Sequence, residues 1–161
     1  MKFKTDGGGF ATSCDDIKVL YGASTWATRL SQLAKTQNKL IIMTYGFKAR
    51  NAKYPNEDIR NENSYVRNIL NKHPKNVFVL CNTDSVEDAK ILKQIYPDIM
   101  IKHKGDINAN IVLLEPHTVF FASDNFGYSA YDEFGIGIHS KEIYDNLIKI
   151  FRVKWKTSNE L

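Results

Sequence analysis

Apolar residues fall in short blocks along this chain, and the period of each block points to a helix or a strand. Trp26, Leu30 and Leu33 stand at i, i+4 and i+7, one stripe of a helix that Ser24 can cap and that runs to about Gln37. Leu40–Thr44 is a continuous apolar run, the pattern of a strand covered on both faces. A polar, charged stretch follows at 48–61 and carries Pro55; connections of that length are often functional. Tyr65, Val66, Ile69 and Leu70 mark a helix that ends before Pro74, and Val77–Cys81 reads as the next strand. Asp84 or Ser85 can cap a helix through Ile95 with Val86, Ala89 and Leu92 inward, and residues 99–101 form another short strand. Ile111–Leu114 and Thr118–Ala122, split by Glu115-Pro116-His117, read as a hairpin. A strand at 134–138 leads to a last helix that starts near Ser140 and is expected to bury Ile143, Leu147, Ile150 and Phe151.

Helices and strands alternate first, then a hairpin follows, then a strand and a helix. This order predicts an α/β sandwich with a mixed central sheet flanked by helices. No internal repeat, linker or composition shift divides the chain, so residues 17–161 are expected to form a single domain. Residues 1–16 are expected to be a flexible N-terminal segment. Gly7-Gly8-Gly9 lies within it, and the first ten residues lack the apolar stretch of a signal peptide. The glycines are not a phosphate-cradling loop, because no Lys-Ser/Thr and no helix follow them.

A chain of 161 residues, 43% apolar and 25% charged, has ordinary globular composition and is long enough for one core. Net charge is +4 with a pI near 9.0, which permits an anionic partner without requiring one. The basic residues gather in two places. Lys48, Arg50, Lys53 and Arg60 lie in the long connection; Lys149, Arg152, Lys154 and Lys156 surround Trp155 near the C-terminus. Lys48, Arg50, Lys53, Arg60, Lys154 and Lys156 are the candidates for nucleic-acid contact. A solvated face and a helix dipole would use the same residues equally well. Two cysteines, Cys14 and Cys81, are too few for a disulfide scaffold and have no metal spacing. The expectation is a cytoplasmic protein with no metal and no cofactor. No run of 18 apolar residues occurs, so no membrane partner is expected.

The segment from Asn108-Ala109-Asn110 through the run 111–114 to Glu115, then Ala122-Ser123-Asp124-Asn125, carries the chemistry. It resembles the signature of the phospholipase D superfamily: His-x-Lys, four residues, Asp, then Gly-Ser-x-Asn. Glu133 stands before the next strand, where the family often has an acid. The likeness extends to residues 40–47, similar to the family's early strand, and to residues 141–156 with Trp155, similar to its closing helix, so it covers roughly 17–156. The length matches the small single-motif endonucleases and phosphodiesterases, which pair to bring two motifs together. The resemblance therefore implies a homodimer.

Active members of that superfamily use one histidine as nucleophile on phosphorus, the other copy's histidine as acid, and lysine and asparagine to hold the phosphate. Here Asn108 stands in the histidine's place and Asn110 in the lysine's. A carboxamide nitrogen is delocalised into its carbonyl and has no pKa near neutrality, so it serves neither as nucleophile nor as acid or base. Losing the lysine also removes charge that would stabilise the transferring phosphoryl group. No catalytic residue is therefore assigned, and the degenerate positions are Asn108, Asn110, Glu115, Ser123, Asn125 and Glu133. Glu115 is one methylene longer than the family's aspartate. Ser123 and Asn125 can hold an anion or simply close a turn.

Three readings follow. The first is a catalytically inactive nuclease-like protein that binds nucleic acid or a regulatory partner. The second is a protein-interaction decoy or inhibitor; the Lys-, Asn- and Ile-rich usage fits the AT-rich genome of a phage or low-GC bacterium, where small inhibitors abound. The third is a phosphodiesterase using a non-standard residue, with Glu115, Ser123, Asn125 and Glu133 around a phosphate-sized site. His103, between Lys102 and Lys104, is its best candidate, ahead of His117 and His139.

Overall fold

The computed structural model describes residues 4–6, 9–14, 17–22, 38–47, 59, 60, 62, 64–72, 75–123, 125, 126 and 133–161. The expected helix at 24–37 and most of the connection at 48–61 lie outside them. The strands are β1 (Lys4–Asp6), β2 (Gly9–Cys14), β3 (Ile17–Gly22), β4 (Leu40–Thr44), β5 (Val77–Cys81), β6 (Met100–His103), β7 (Ile111–Leu114), β8 (Thr118–Ala122), β9 (Glu133–His139) and β10 (Asn159–Glu160). The helices among the described residues are α1 (Tyr65–Lys72), α2 (Val86–Ile95) and α3 (Lys141–Lys156). All of these strands join one sheet in the order β1-β2-β3-β9-β8-β7-β4-β5-β6-β10. β4, β5 and β6 run parallel, and β7 lies antiparallel to β4 on its other side. The architecture is the mixed α/β sandwich that the sequence predicts.

Alternation along the central strands sorts side chains onto two faces. Leu40, Ile42, Val77, Val79 and Val112 join the core built with Val66, Ile69 and Leu70 of α1 and Ala89 and Leu92 of α2. Ile41, Met43, Leu80 and Leu113 join the core built with Tyr144 and Phe151 of α3. All five residues of β4 are buried, which is why its sequence reads as an unbroken apolar run. Trp155 seals the α3 side, edge-on to Phe78 with centroids 5.9 Å apart and 5.2 Å from Phe151. Full burial of each such large side chain contributes ~1.5–3 kcal/mol.

Three expectations change. Lys4–Asp6 and Gly9–Cys14, within the segment expected to be flexible, are strands that extend the sheet through β3. Ser85 stands at the N-cap of α2 as expected but makes no side-chain cap; a 3₁₀ turn precedes the helix, and Asn82 caps that turn by accepting from the Asp84 amide. In α3 the buried stripe is shifted. Phe151 is buried and Leu147 packs against the core as expected, but Ile143 and Ile150 are 36% and 52% exposed, and Tyr144, Ile148 and Trp155 face the core in their place. The bulky aromatics share that adjacent i, i+4, i+7, i+11 row, and they set the rotation of the helix. Ser140 starts α3 as predicted, its hydroxyl accepting from the Ile143 amide at 3.3 Å.

Candidate functional site

Strand polarity brings the ends of β4, β5, β6 and β8 and the starts of β7 and β9 to one edge of the sheet. Asn110 lies at this edge, just before β7, and is buried. Its carboxamide oxygen accepts from the Thr44 hydroxyl at 2.9 Å and from the Tyr45 amide at 3.3 Å. Thr44, itself 1% exposed, is the hub. Its hydroxyl can donate to Asn110 or to the Gly46 carbonyl at 2.8 Å, and it accepts from the amides of Phe126 at 3.1 Å and Gly46 at 3.3 Å. The Asn110 carbonyl accepts from the Ala122 amide at 2.9 Å. Asn110 is thus a clamp between the end of β4, the start of β7 and the end of β8. Asn108, two positions earlier, is exposed.

Ser123 closes β8 onto β9. Its amide donates to the Phe134 carbonyl at 2.9 Å, and its hydroxyl accepts from the Phe134 amide at 2.9 Å. Asn125 approaches Gly46, where an added Cβ would lie 3.8 Å from the Asn125 Nδ2 and 2.6 Å from the Ser85 Oγ. Glu133 opens β9 with its backbone across from Gly22. Asn108, Asn110, Ser123, Asn125 and the start of β9 therefore share one edge.

Glu115 does not join them. It follows the last residue of β7, and five residues of extended chain place it roughly 17 Å from Asn110. There its amide donates to the Lys39 carbonyl at 3.2 Å, its carbonyl accepts from Asn38 Nδ2 at 3.1 Å, and its carboxylate lies 3.6 Å from Lys39 Nζ. The expectation that Glu115 helps surround a phosphate-sized site is corrected. The motif spans the full length of a strand, so its acid stands at the opposite end and ties β7 to the start of β4.

His103 ends β6 on the motif edge, with Nδ1 3.1 Å from the Thr83 hydroxyl. The chain does fold back. Asn82 Nδ2 donates to the carbonyls of Gly105 at 3.1 Å and Ile107 at 2.7 Å, pinning the loop that leads to Asn110. Yet β5 and β4 lie between β6 and β7, and three strand spacings amount to ~14 Å. His117 and His139 sit at the other end of the sheet, where the His117 carbonyl accepts from Ser140 N and His139 Nδ1 lies 2.8 Å from the Thr118 hydroxyl.

Sequence reasoning missed Thr44, Tyr45, Asn82 and Asp84. The Tyr45 hydroxyl donates to Asp84 Oδ2 at 2.7 Å, and that bond to a carboxylate raises the Tyr45 pKa above the usual phenol value. A threonine ending an apolar strand, and the Asn-Thr-Asp-Ser run after β5, were the available signals. Cys81, buried in β5, has its thiol pushed up to about 12 by burial, with the Asp88 charge adding to the effect. It is therefore not a nucleophile at neutral pH.

Of the basic candidates, Lys48, Arg50 and Lys53 lie outside the described residues. Arg60 is exposed and follows Ile59, which belongs to the α1/α2 core. Lys154 pairs with Asp106 at 2.6 Å, holding that carboxyl below the usual range; Lys156 is exposed at the end of α3. Arg60 and the α3 lysines thus flank opposite faces of the sheet. Among the described residues no cluster of His, Cys, Asp and Glu is arranged to hold a metal, and no helix is long and apolar enough to cross a membrane.

No family model and no curated protein matches this sequence. Solved structures do share its fold. Nuc from Salmonella typhimurium, a phospholipase D family member, matches with a TM-score of 0.68 at 12% identity, over 90% of this chain and 97% of Nuc. NucT from Helicobacter pylori matches at 0.63 and 15% identity, over 91% of this chain and all of NucT (100%). TrmBL2, an archaeal chromatin protein with a novel mode of DNA binding, matches at 0.64 and 14% identity over 92% of this chain. The chain spans 54% of TrmBL2's length. Identity this low speaks for architecture, and the architecture of this chain is the phospholipase D fold.

Proposed function

We propose that this chain is a phospholipase D-type domain that binds nucleic acid and performs no phosphohistidine chemistry at its motif. The observation that carries the reading is Asn110. Where the family's lysine would reach a phosphate, a buried carboxamide is committed to Thr44 and Tyr45. With asparagine also at 108, the edge offers neither a nucleophile nor a proton donor in the motif positions. Support for nucleic acid comes from the net charge of +4, the exposed Arg60 and Lys156, and a fold shared with a DNA-binding chromatin protein. The reading includes a two-fold homodimer, the commonest closed assembly.

Fluorescence anisotropy with labelled single- and double-stranded oligonucleotides tests it. Affinity is expected to fall linearly in log–log form as salt rises, the sign of counterion release. Light scattering on the same micromolar samples is expected to give a dimer mass, and bis-p-nitrophenyl phosphate is expected to stay unhydrolysed. Absence of binding at about 50 mM salt would sink the nucleic-acid reading. It would favour a protein partner, for which the outward row Ile143, Ile150 and Val153 of α3 speaks, at 36%, 52% and 65% exposure.

A further inference from the structure

A cleft of about 280 Å³ opens at the end of the sheet away from the motif edge. Its two walls come from different elements. Lys39, just before β4, and Glu115, just after β7, form the sheet-side wall. α3 forms the other with Tyr144, Ile148, Lys149 and Arg152. Tyr144, Ile148 and Arg152 are spaced four apart, so they make one ridge, and Lys149 stands beside it. Tyr144 is buried and Ile148 is half-buried, which gives the cleft a floor of fixed shape.

The charges in this cleft are unbalanced towards the positive. Lys39, Lys149 and Arg152 face the carboxylates of Glu115 and Asp145. Asp145 pairs with Lys141, one turn back on α3. Lys39 and Glu115 hold each other at 3.6 Å, both 43% exposed, a separation and exposure that make a weak pair. Among the described residues Lys149 and Arg152 form no ion pair. Lys149 adds to the field of Lys141 on Asp145, and three cations against two carboxylates leave the cleft with an excess of positive charge that an anion completes. The Arg152 guanidinium can present a planar fork to two oxygens of a tetrahedral anion, and the lysines supply point charge. The Tyr144 hydroxyl stays protonated at neutral pH, since burial and then the Glu115 and Asp145 charges raise its pKa, and it can donate.

We propose that this cleft is a binding site for a phosphomonoester, with its phosphate against Lys149 and Arg152 and its remaining part towards Lys39 and Glu115. The carboxylate of Glu115 would repel the phosphate, so it meets the other end of the ligand and accepts from a hydroxyl or amino group there. The volume sits just under the roughly 300–1,000 Å³ of clefts that hold drug-sized molecules, which suits one phosphate with a sugar-sized substituent. The phosphate can come from a free metabolite or from the 5′ end of a nucleic-acid strand; the recognising chemistry is the same. The site lies roughly 17 Å along β7 from Asn110 and stands independently of whatever the motif edge binds.

The test is an amide NMR titration of the full chain with adenosine 5′-monophosphate, with adenosine as the control. The monophosphate is expected to shift the amides around Lys39, Glu115 and residues 144–152, and adenosine to leave them in place. Lys149→Ala with Arg152→Ala, both at exposed positions, is expected to weaken binding at least tenfold while the spectrum stays folded. Glu115→Gln is expected to tighten inorganic phosphate a few-fold by removing the opposing charge. Competition by a 5′-phosphorylated 12-mer but not by its 5′-hydroxyl form assigns the phosphate to a strand end; no competition by either assigns it to a small metabolite. The proposal is overturned if adenosine shifts the same amides as its monophosphate, or if the double variant keeps the parental affinity. Neither result depends on whether the 5′-hydroxyl 12-mer binds elsewhere on the domain, which is the separate question of nucleic-acid binding.

Discussion

One buried side chain fixes the geometry of the motif edge. Asn110 supplies one buried acceptor to a hydroxyl and a backbone amide. A lysine has three donors and no acceptor, so Asn110→Lys would leave the Tyr45 amide and the Thr44 hydroxyl without that partner and press an ammonium into a buried place. We predict that Asn110→Lys lowers stability by about 1–3 kcal/mol in urea unfolding, the usual cost of stranding buried polar groups. Asn108→His alone, at an exposed position, should change stability by less than about 0.5 kcal/mol. The double variant is expected to fold and stay inert, because position 110 is buried and turned towards Thr44 and Tyr45, so a lysine there is not positioned on a phosphate. A folded double variant that cleaves DNA well above the parent would show that only two residues separate this scaffold from a nuclease.

Elements were legible where one force dominated. β4, β5, β7 and β8 match their expected runs residue for residue, since nearly every position in them is apolar and buried or half-buried. The rotation of α3 was not legible. Its sequence offers two adjacent apolar rows, and only the packing of Tyr144, Phe151 and Trp155 against Phe78 and its neighbours chooses between them. The site was half legible. Spacing along the chain anticipated that Asn108, Asn110, Ser123 and Asn125 lie on one edge, but not that Glu115 stands at the far end of a strand or that Thr44 joins three elements. The turn after β4 makes a test at this scale. Gly46 packs where a Cβ would meet Ser85 Oγ at 2.6 Å, and that hydroxyl donates to the Tyr45 carbonyl at 2.8 Å. Gly46→Ala is therefore expected to cost about 1–3 kcal/mol by overpacking. Ser85→Ala in the same chain removes the obstructing oxygen, so the double variant should be more stable than the two single losses added together. Additive losses in a thermal-melt cycle would show that the turn relaxes by some other route.

Over the whole molecule, the core's response to pH follows from a buried thiol at the end of β5. Cys81 has no exposure and a folded pKa of about 12, against an ordinary value of 9.0. A group whose folded pKa is raised contributes stability that is fully present below its unfolded pKa and is lost as pH rises through the folded value. The window here opens near pH 9, where unfolded chains begin to release the proton that folded chains keep. Within it a single such group lowers stability by roughly 1.4 kcal/mol per pH unit. Tyr45 and Tyr144, both raised, act in the same direction above the ordinary phenol range. On the acid side Asp106 and Asp145 are held low by Lys154 and Lys141, so their contribution is present above the unfolded carboxylate range and fades as pH falls below it. Both of those pairs are exposed, and the acid limb is expected to be shallow. Urea midpoints measured at intervals from pH 8 to about 10.5 should therefore fall steeply in the parent and less steeply in Cys81→Ala. That variant is less stable at neutral pH for want of a buried side chain, yet its curve should approach the parent's as pH rises. Parallel curves would mean that the alkaline loss arises elsewhere, from tyrosines or from lysines losing their ion pairs, and that the thiol at the end of β5 keeps contact with water.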